Sequence, residues 1–119
     1  MKILIIEDEL LIQKSLKIFL EKNNFIVIAT ASGKEAIELI YSEDFDKILC
    51  DLMLQDISGF DIIEESKKKY LPEELKKKFI IMSAYSSSQI MEKIKDYGFP
   101  FIRKPFSGLT DVINIILNS

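Results

Sequence analysis

Lys47-Ile-Leu-Cys-Asp51, continuing as Leu-Met-Leu-Gln-Asp-Ile-Ser-Gly59, is the stretch on which the reading of this chain turns. A short apolar run ends on a carboxylate, a loop follows, and Gly59 opens a helical pattern that runs to residue 70. A run this short, apolar without alternation, fits a strand buried on both faces. Residues 47–50 are therefore expected to be a central strand, with Asp51 at its carboxyl end.

The same unit recurs on both sides. Upstream, residues 2–6 form an apolar run, and Ile12, Leu16, Phe19 and Leu20 in 11–22 share one helix face. Asn23-Asn24 stops that helix, and residues 25–30 read as a second strand. Ser32-Gly-Lys-Glu35 then matches a capping box, with Ala36, Ile37 and Ile40 turned inward as far as Ser42. Downstream, a charged segment 71–78 precedes a fourth strand at 79–82. A helix at 88–97 carries Ile90, Met91 and Ile94, a short strand follows at 101–103, and 109–117 closes the chain with Val112, Ile113 and Ile116 on one face. Strictly alternating strands and helices predict right-handed crossovers onto a five-stranded parallel sheet, flanked on both faces by five helices. In such a doubly wound α/β domain, ligands bind beyond the carboxyl ends of the strands.

The chain has 119 residues, 48% of them hydrophobic, which suits one domain, 1–119, with a real core. Sixteen basic against nineteen acidic residues give a net charge of −3, which argues against nucleic-acid binding by this domain. The lysine runs 67–69 and 76–78 read as solvated surface. No run approaches the ~18 apolar residues that span a bilayer, and no signal-peptide pattern opens the chain. A cytoplasmic protein without a membrane partner is expected. Cys50, the single cysteine, reads as a buried structural thiol. There is no histidine, so chemistry here rests on carboxylates, hydroxyls and lysine.

The strand ends supply those groups. The first ends in Glu7-Asp8, the third in Asp51, the fourth in Ser83 and the fifth in Lys104, while Asp56 lies in the loop after the third. If the first and third strands are neighbours, Glu7, Asp8 and Asp51 converge. Two carboxylates ~4 Å apart repel by about 4 kcal/mol at an effective dielectric constant near 20, so a compensating cation is implied. Oxygen donors alone suit Mg²⁺ or Mn²⁺, with positions left for phosphate oxygens. Acids that merely cap helix N-termini are the plainer explanation of any one of these residues, but not of the whole set. Asp51 is then a candidate nucleophile, Lys104 an ammonium and Ser83 a hydroxyl for a phosphoryl group.

With these residues assembled, the chain resembles the response-regulator receivers of two-component signalling over essentially its whole length. The resemblance is carried by Ile5-Ile-Glu-Asp-Glu9, Asp51-Leu-Met-Leu-Gln-Asp-Ile-Ser-Gly59, Ile80-Ile-Met-Ser-Ala84 and Lys104-Pro-Phe106. It implies the flavodoxin-like strand order 2-1-3-4-5. It implies Mg²⁺ held by Glu7, Asp8, Asp51 and the backbone carbonyl of Met53. Asp51 would accept a phosphoryl group from a sensor histidine kinase or phosphotransfer protein. Ser83 and Lys104 would contact the phosphoryl oxygens, Ala84 would leave access to the site, and Ser83 with Phe101 would form the switch. Lys104-Pro105 would be a cis peptide, and Met53 and Tyr85 would tune the lifetime of the phosphate. Gln55 stands where proline is frequent, which predicts a looser loop after Asp51, and the segment from Gly98 to Phe101 is one residue shorter than usual. Phe60, Ile62, Ile63 and Tyr97 receive no functional role.

The implied activity is a two-state switch that catalyses its own phosphorylation and dephosphorylation and is not a conventional turnover enzyme. Its output would be an altered surface of the last two helices and the fifth strand, read by a downstream protein or a covalently attached effector domain outside 1–119. The alternative is a receiver-like interaction module that never takes phosphate. An aspartate-nucleophile phosphatase is a weaker third reading, because those enzymes usually carry a second acid where this chain has Met53.

Overall fold

The computed structural model describes residues 1–84, 87–106 and 108–119. Its elements run β1 (Lys2–Ile6), α1 (Leu10–Lys22), β2 (Ile26–Thr30), α2 (Gly33–Ser42), β3 (Lys47–Asp51), α3 (Gly59–Ser66), α4 (Pro72–Lys78), β4 (Phe79–Ser83), α5 (Ser88–Tyr97), β5 (Phe101–Arg103) and α6 (Leu109–Asn118). The five strands are parallel in the order β2-β1-β3-β4-β5. Strand order therefore reverses beside β1, between the carboxyl ends of β1 and β3. That is where a doubly wound sheet opens a crevice.

Alternation along each strand divides the core. Leu4, Ile6, Ile48, Cys50, Phe79 and Ile81 pack against Ala36, Ile40, Ile62, Ile63, Leu75 and Ile94 on one face. Ile3, Ile5, Leu49, Ile80 and Met82 pack against Leu16, Leu20, Val112 and Ile116 on the other. Both faces are covered, so the central strands have no polar face, as their apolar runs predict. Cys50 is fully buried, and burial pushes its thiol well above the ordinary range, in keeping with a structural role. Each Ile or Leu taken wholly from water contributes about 1.5–3 kcal/mol. Among the described residues, no helix is long and apolar enough to cross a membrane.

Among the described residues six helices stand where five were expected. Residues 59–70 do not make one helix: α3 ends at Ser66, whose Oγ donates back to the Ile62 carbonyl at 2.7 Å. Leu71 is extended (φ −68°, ψ 155°), the conformation that a following proline enforces. Pro72 then starts α4 at its first turn, where a missing N–H costs nothing, and the Glu74 carboxylate accepts the Leu71 N–H at 3.2 Å. Tyr70 and Leu75, both buried, anchor this insert.

The lysine runs are only partly solvated surface. Lys69 Nζ donates to the Ile40 carbonyl at 2.7 Å and the Glu43 carbonyl at 3.1 Å, capping the end of α2. Lys78 Nζ reaches the Phe45 carbonyl at 2.5 Å, and the two ammoniums lie 5.3 and 5.0 Å from the Tyr70 ring centre.

Candidate functional site

At the reversal point the chain leaves β1 at Ile6 and β3 at Asp51, adjacent strands in parallel register. Glu7 is fully buried and Asp51 is 2% exposed, while Asp8 is half-buried. One carboxylate oxygen from each of Glu7, Asp8 and Asp51 lies within 4.8 Å of the others. Backbone bonds hold the arrangement: the Glu7 N–H donates to the Thr30 carbonyl at 3.0 Å, and the Glu9 N–H donates to Glu7 Oε2 at 3.2 Å. Gln13 Nε2 donates to the Glu7 carbonyl at 2.9 Å, a contact with no signal in the sequence.

Lys104, 5% exposed, follows β5 and enters the same pocket. Its Nζ donates to Glu7 Oε1 at 2.6 Å and to Asp51 Oδ2 at 2.8 Å, with Glu9 Oε1 at 3.7 Å. Burial alone would push this ammonium down, but bonds and charges from Asp51 and Glu7 outweigh it and hold the group above its usual range. Burial pushes the Glu7 carboxyl up to about 7, and its hydrogen bond with Asp51 acts in the same sense against Lys104. The Lys104-Pro105 peptide is cis, as the resemblance implies.

Ser83, also fully buried, ends β4 on the other side of β3, and its carbonyl accepts the Lys104 N–H at 3.0 Å. Ala84, next in the chain, is exposed. Met53 lies in the loop after β3, where its N–H donates to Asp51 Oδ1 at 3.0 Å. Phe101 is partly buried against the α2/α3/α5 side of the core and lines a shallow groove with Met91, Ile94 and Phe99. Tyr85 lies outside the described residues. The strand-end set is thus brought together as four charged groups, with Ser83 and Met53 on adjoining segments.

The plainer reading, acids as helix caps, fails for the pocket: the residue capping α1 is Glu9, and its side chain makes no cap bond. It holds for Asp56, which caps α2 from a distant loop. Its carboxylate takes the Gly33 and Lys34 N–H groups. The reciprocal box expected of Ser32 and Glu35 is only half formed. Ser32 Oγ accepts the Glu35 N–H at 3.2 Å, but the Ser32 N–H goes to Thr30 Oγ1. Next to Gln55, Asp56 ties the tip of the loop to the start of α2. At the far end of that loop Gly59 presses on β3: a Cβ there would meet the Asp51 carbonyl oxygen at 2.6 Å and Leu52 Cα at 2.8 Å.

The donor set fits a hard divalent cation. All side-chain donors are oxygens, and three carboxyl groups gather around one ammonium, so the site carries acid that its own cation does not balance.

A family model described as response regulator receiver domain matches residues 3–116. The cell cycle response regulator CtrA of Brucella ovis is 32% identical over 109 residues, covering 89% of this chain and 44% of that protein. The chain thus spans less than half the length of this relative. A CheY-like receiver domain protein of Methanospirillum hungatei JF-1 superposes with a TM-score of 0.87 at 27% identity, covering 98% of this chain and 90% of that one. The receiver domain of sensor histidine kinase PA1611 from Pseudomonas aeruginosa PAO1 shares the fold, with a TM-score of 0.84 at 21% identity over 98% and 94% of the chains. That domain was solved with a magnesium ion coordinated in its active-site cleft.

Proposed function

The chain belongs to the response regulator receiver domain family, and from that membership we propose that it is a Mg²⁺-dependent phosphorylation switch with Asp51 as acceptor. The observation that carries this is the buried Lys104 ammonium set against the gathered Glu7, Asp8 and Asp51 carboxylates. Those three side chains and the Met53 carbonyl would hold the ion. When bound, Mg²⁺ offsets the excess carboxylate charge and keeps open positions for phosphoryl oxygens.

Asp51 Oδ attacks the phosphorus of a phosphohistidine on a sensor kinase or phosphotransfer protein. A P–O bond forms, the P–N bond breaks, and the released imidazole takes up a proton. Lys104 then transfers its hydrogen bonds from carboxylate to phosphoryl oxygen, and the Ser83 hydroxyl supplies another. Ala84 leaves room at the entrance. Attack by water on the aspartyl phosphate resets the switch, so the chain serves its own two steps and is not a conventional turnover enzyme.

A docking place for the donor adjoins the pocket. Leu10 and Leu11 are 56% and 83% exposed at the start of α1. Beside them a groove of about 320 Å³ runs between α1 and the segment after β5, lined by Leu11, Ile12, Lys104, Pro105, Phe106 and Leu109. An apolar helix face bearing the phosphohistidine suits it.

Output follows from Ser83 and Phe101. As Ser83 shifts toward the phosphoryl group, Phe101 turns inward and alters the surface of α5, β5 and α6. Driving such an equilibrium from 1:99 to 99:1 takes about 5.5 kcal/mol. A few charge-assisted hydrogen bonds at about 1.5–3 kcal/mol each suffice. The reader of that surface is a downstream protein or an attached effector domain.

Incubation with Mg²⁺ and acetyl phosphate, followed by intact mass, tests the proposal. A gain of one phosphoryl group that disappears in Asp51→Asn supports it. No gain, with no response to beryllofluoride as a mimic, supports a phosphate-independent interaction module instead.

A further inference from the structure

The loop between Asp51 and α3 is fastened at three places. At its start the Met53 N–H donates to Asp51 Oδ1, and across its neck Met53 and Ser58 form an isolated antiparallel bridge. At its tip the Asp56 carboxylate, though exposed, accepts four hydrogen bonds. They come from Ser32 Oγ at 2.9 Å, the Gly33 and Lys34 N–H groups at 3.0 Å each, and the Ile57 N–H at 2.9 Å. The Lys34 and Gly33 donors foremost hold this carboxyl well below the usual range, so it stays ionised.

Three of the four donors belong to the start of α2, more than twenty residues earlier in the chain. Ile57 seals the junction by packing so closely on Gly33 that a Cβ there would meet Ile57 Cγ1 at 2.5 Å. Capping is shared, since Ser32 takes the Glu35 N–H and Asp56 the Gly33 and Lys34 N–H groups, and the Asp56 share ties the cap of α2 to a distant loop. What Asp56 adds is a fixed position for a seven-residue loop, numbered 52–58, that contains Met53. Without the clamp, the loop would have to be ordered when an ion binds, and that entropy would weaken binding.

We propose that Asp56 is a positioning residue for the cation site, its clamp on α2 presetting the Met53 peptide and, through the Met53 N–H, the Asp51 carboxylate. The inference rests on the reading of Glu7, Asp8, Asp51 and Met53 as Mg²⁺ donors. Asp56 touches neither ion nor phosphate and acts through that peptide.

Calorimetric titration of the full chain with Mg²⁺ alone, without phosphodonor, tests it. Asp56→Ala is expected to weaken Mg²⁺ binding about tenfold, the lower end of what losing an outer partner of a ligand does. Asp56→Asn, which keeps a carbonyl acceptor, recovers part of that loss. Lys69→Met is the structural control: it removes a cap from the opposite end of α2 and leaves Mg²⁺ affinity within about twofold. In metal-free protein the NMR amide signal of Met53 moves in Asp56→Ala and stays in Lys69→Met.

Unchanged Mg²⁺ affinity in folded Asp56→Ala, or an equal loss in Lys69→Met, overturns the positioning role. Should Asp56→Ala not fold, Asp56→Asn against Lys69→Met makes the same comparison. Absence of Mg²⁺ uptake by the unaltered chain overturns the site reading and this inference together. Failure of the inference alone leaves uptake intact in every variant.

Discussion

Among the described residues two lysines are buried, one at the amino edge and one at the carboxyl edge of the parallel strands, and they are held by different means. Lys47 opens β3 and is 6% exposed; Lys104 follows β5 and is 5% exposed. Lys47 Nζ donates to the Lys77 carbonyl at 2.5 Å and to the main-chain oxygen and hydroxyl of Ser119 at 2.8 and 2.9 Å, with no side-chain carboxylate among these acceptors. Burial holds its ammonium below the usual range, and the nearby Lys78 charge acts in the same direction. Lys104 faces two carboxylates with a third close by. One edge is a finished structural joint whose donors are matched to acceptors. The other carries more negative charge than its single cation balances, which is the state of a site built for a ligand.

Three substitutions or conditions probe that contrast. The largest effect is expected from Lys104→Met: phosphorylation by acetyl phosphate, followed by intact mass over time, slows about a hundredfold as one donor to the reacting phosphoryl group is lost. A normal rate together with lowered stability would make Lys104 a joint like Lys47 and erase the distinction. Next, Lys47→Met leaves buried acceptors unpaired at a cost of about 1–3 kcal/mol, read from the urea midpoint. Its phosphorylation rate stays unchanged; a parallel fall would mean that the two edges are coupled.

The smallest effect is in alkaline pH. Because the folded Lys47 sits below its unfolded value of 10.5, the unfolded chain binds more protons in the window between them, and stability rises with pH there. The Tm gap between the unaltered chain and Lys47→Met therefore widens as pH rises toward the unfolded value of 10.5. Lys104, held above its usual range, gives no such rise, and its contribution is lost only as pH climbs past that higher value. A gap for Lys47→Met that narrows in this window would refute the description of Lys47 as an ammonium held down by burial.

The same contrast accounts for what was legible in the sequence. Strands and site acids are readable because Glu7, Asp8 and Asp51 directly follow apolar runs and Lys104 follows the short strand Phe101–Arg103, and a parallel sheet places all such residues at one edge. The sequence separates a helix at 59–70 from a charged segment 71–78, but not the end of α3 at Ser66 or the helix α4 at Pro72–Lys78. The apolar pattern continues through Tyr70 and hides the first, and the short charged run has no apolar face to announce the second, although Leu71-Pro72 marks its start. Lys47 was read only as the first residue of a strand, and Asp56 only as a loop acid. Their partners are main-chain carbonyls and N–H groups brought close by the fold, and main-chain groups have no letter in the sequence. Side-chain chemistry clustered at strand ends is visible in advance; a side chain that bonds distant backbone is not.

Gly59 gives the receiver geometry a mechanical property. With space for only a hydrogen atom between the first turn of α3 and the Asp51 carbonyl, strand and helix meet there without a cushion. Were the proposed phosphorylation of Asp51 to shift its peptide, no side chain is present to be compressed or to swing aside. The displacement would pass into the axis of α3, with the junction acting as a rigid bearing.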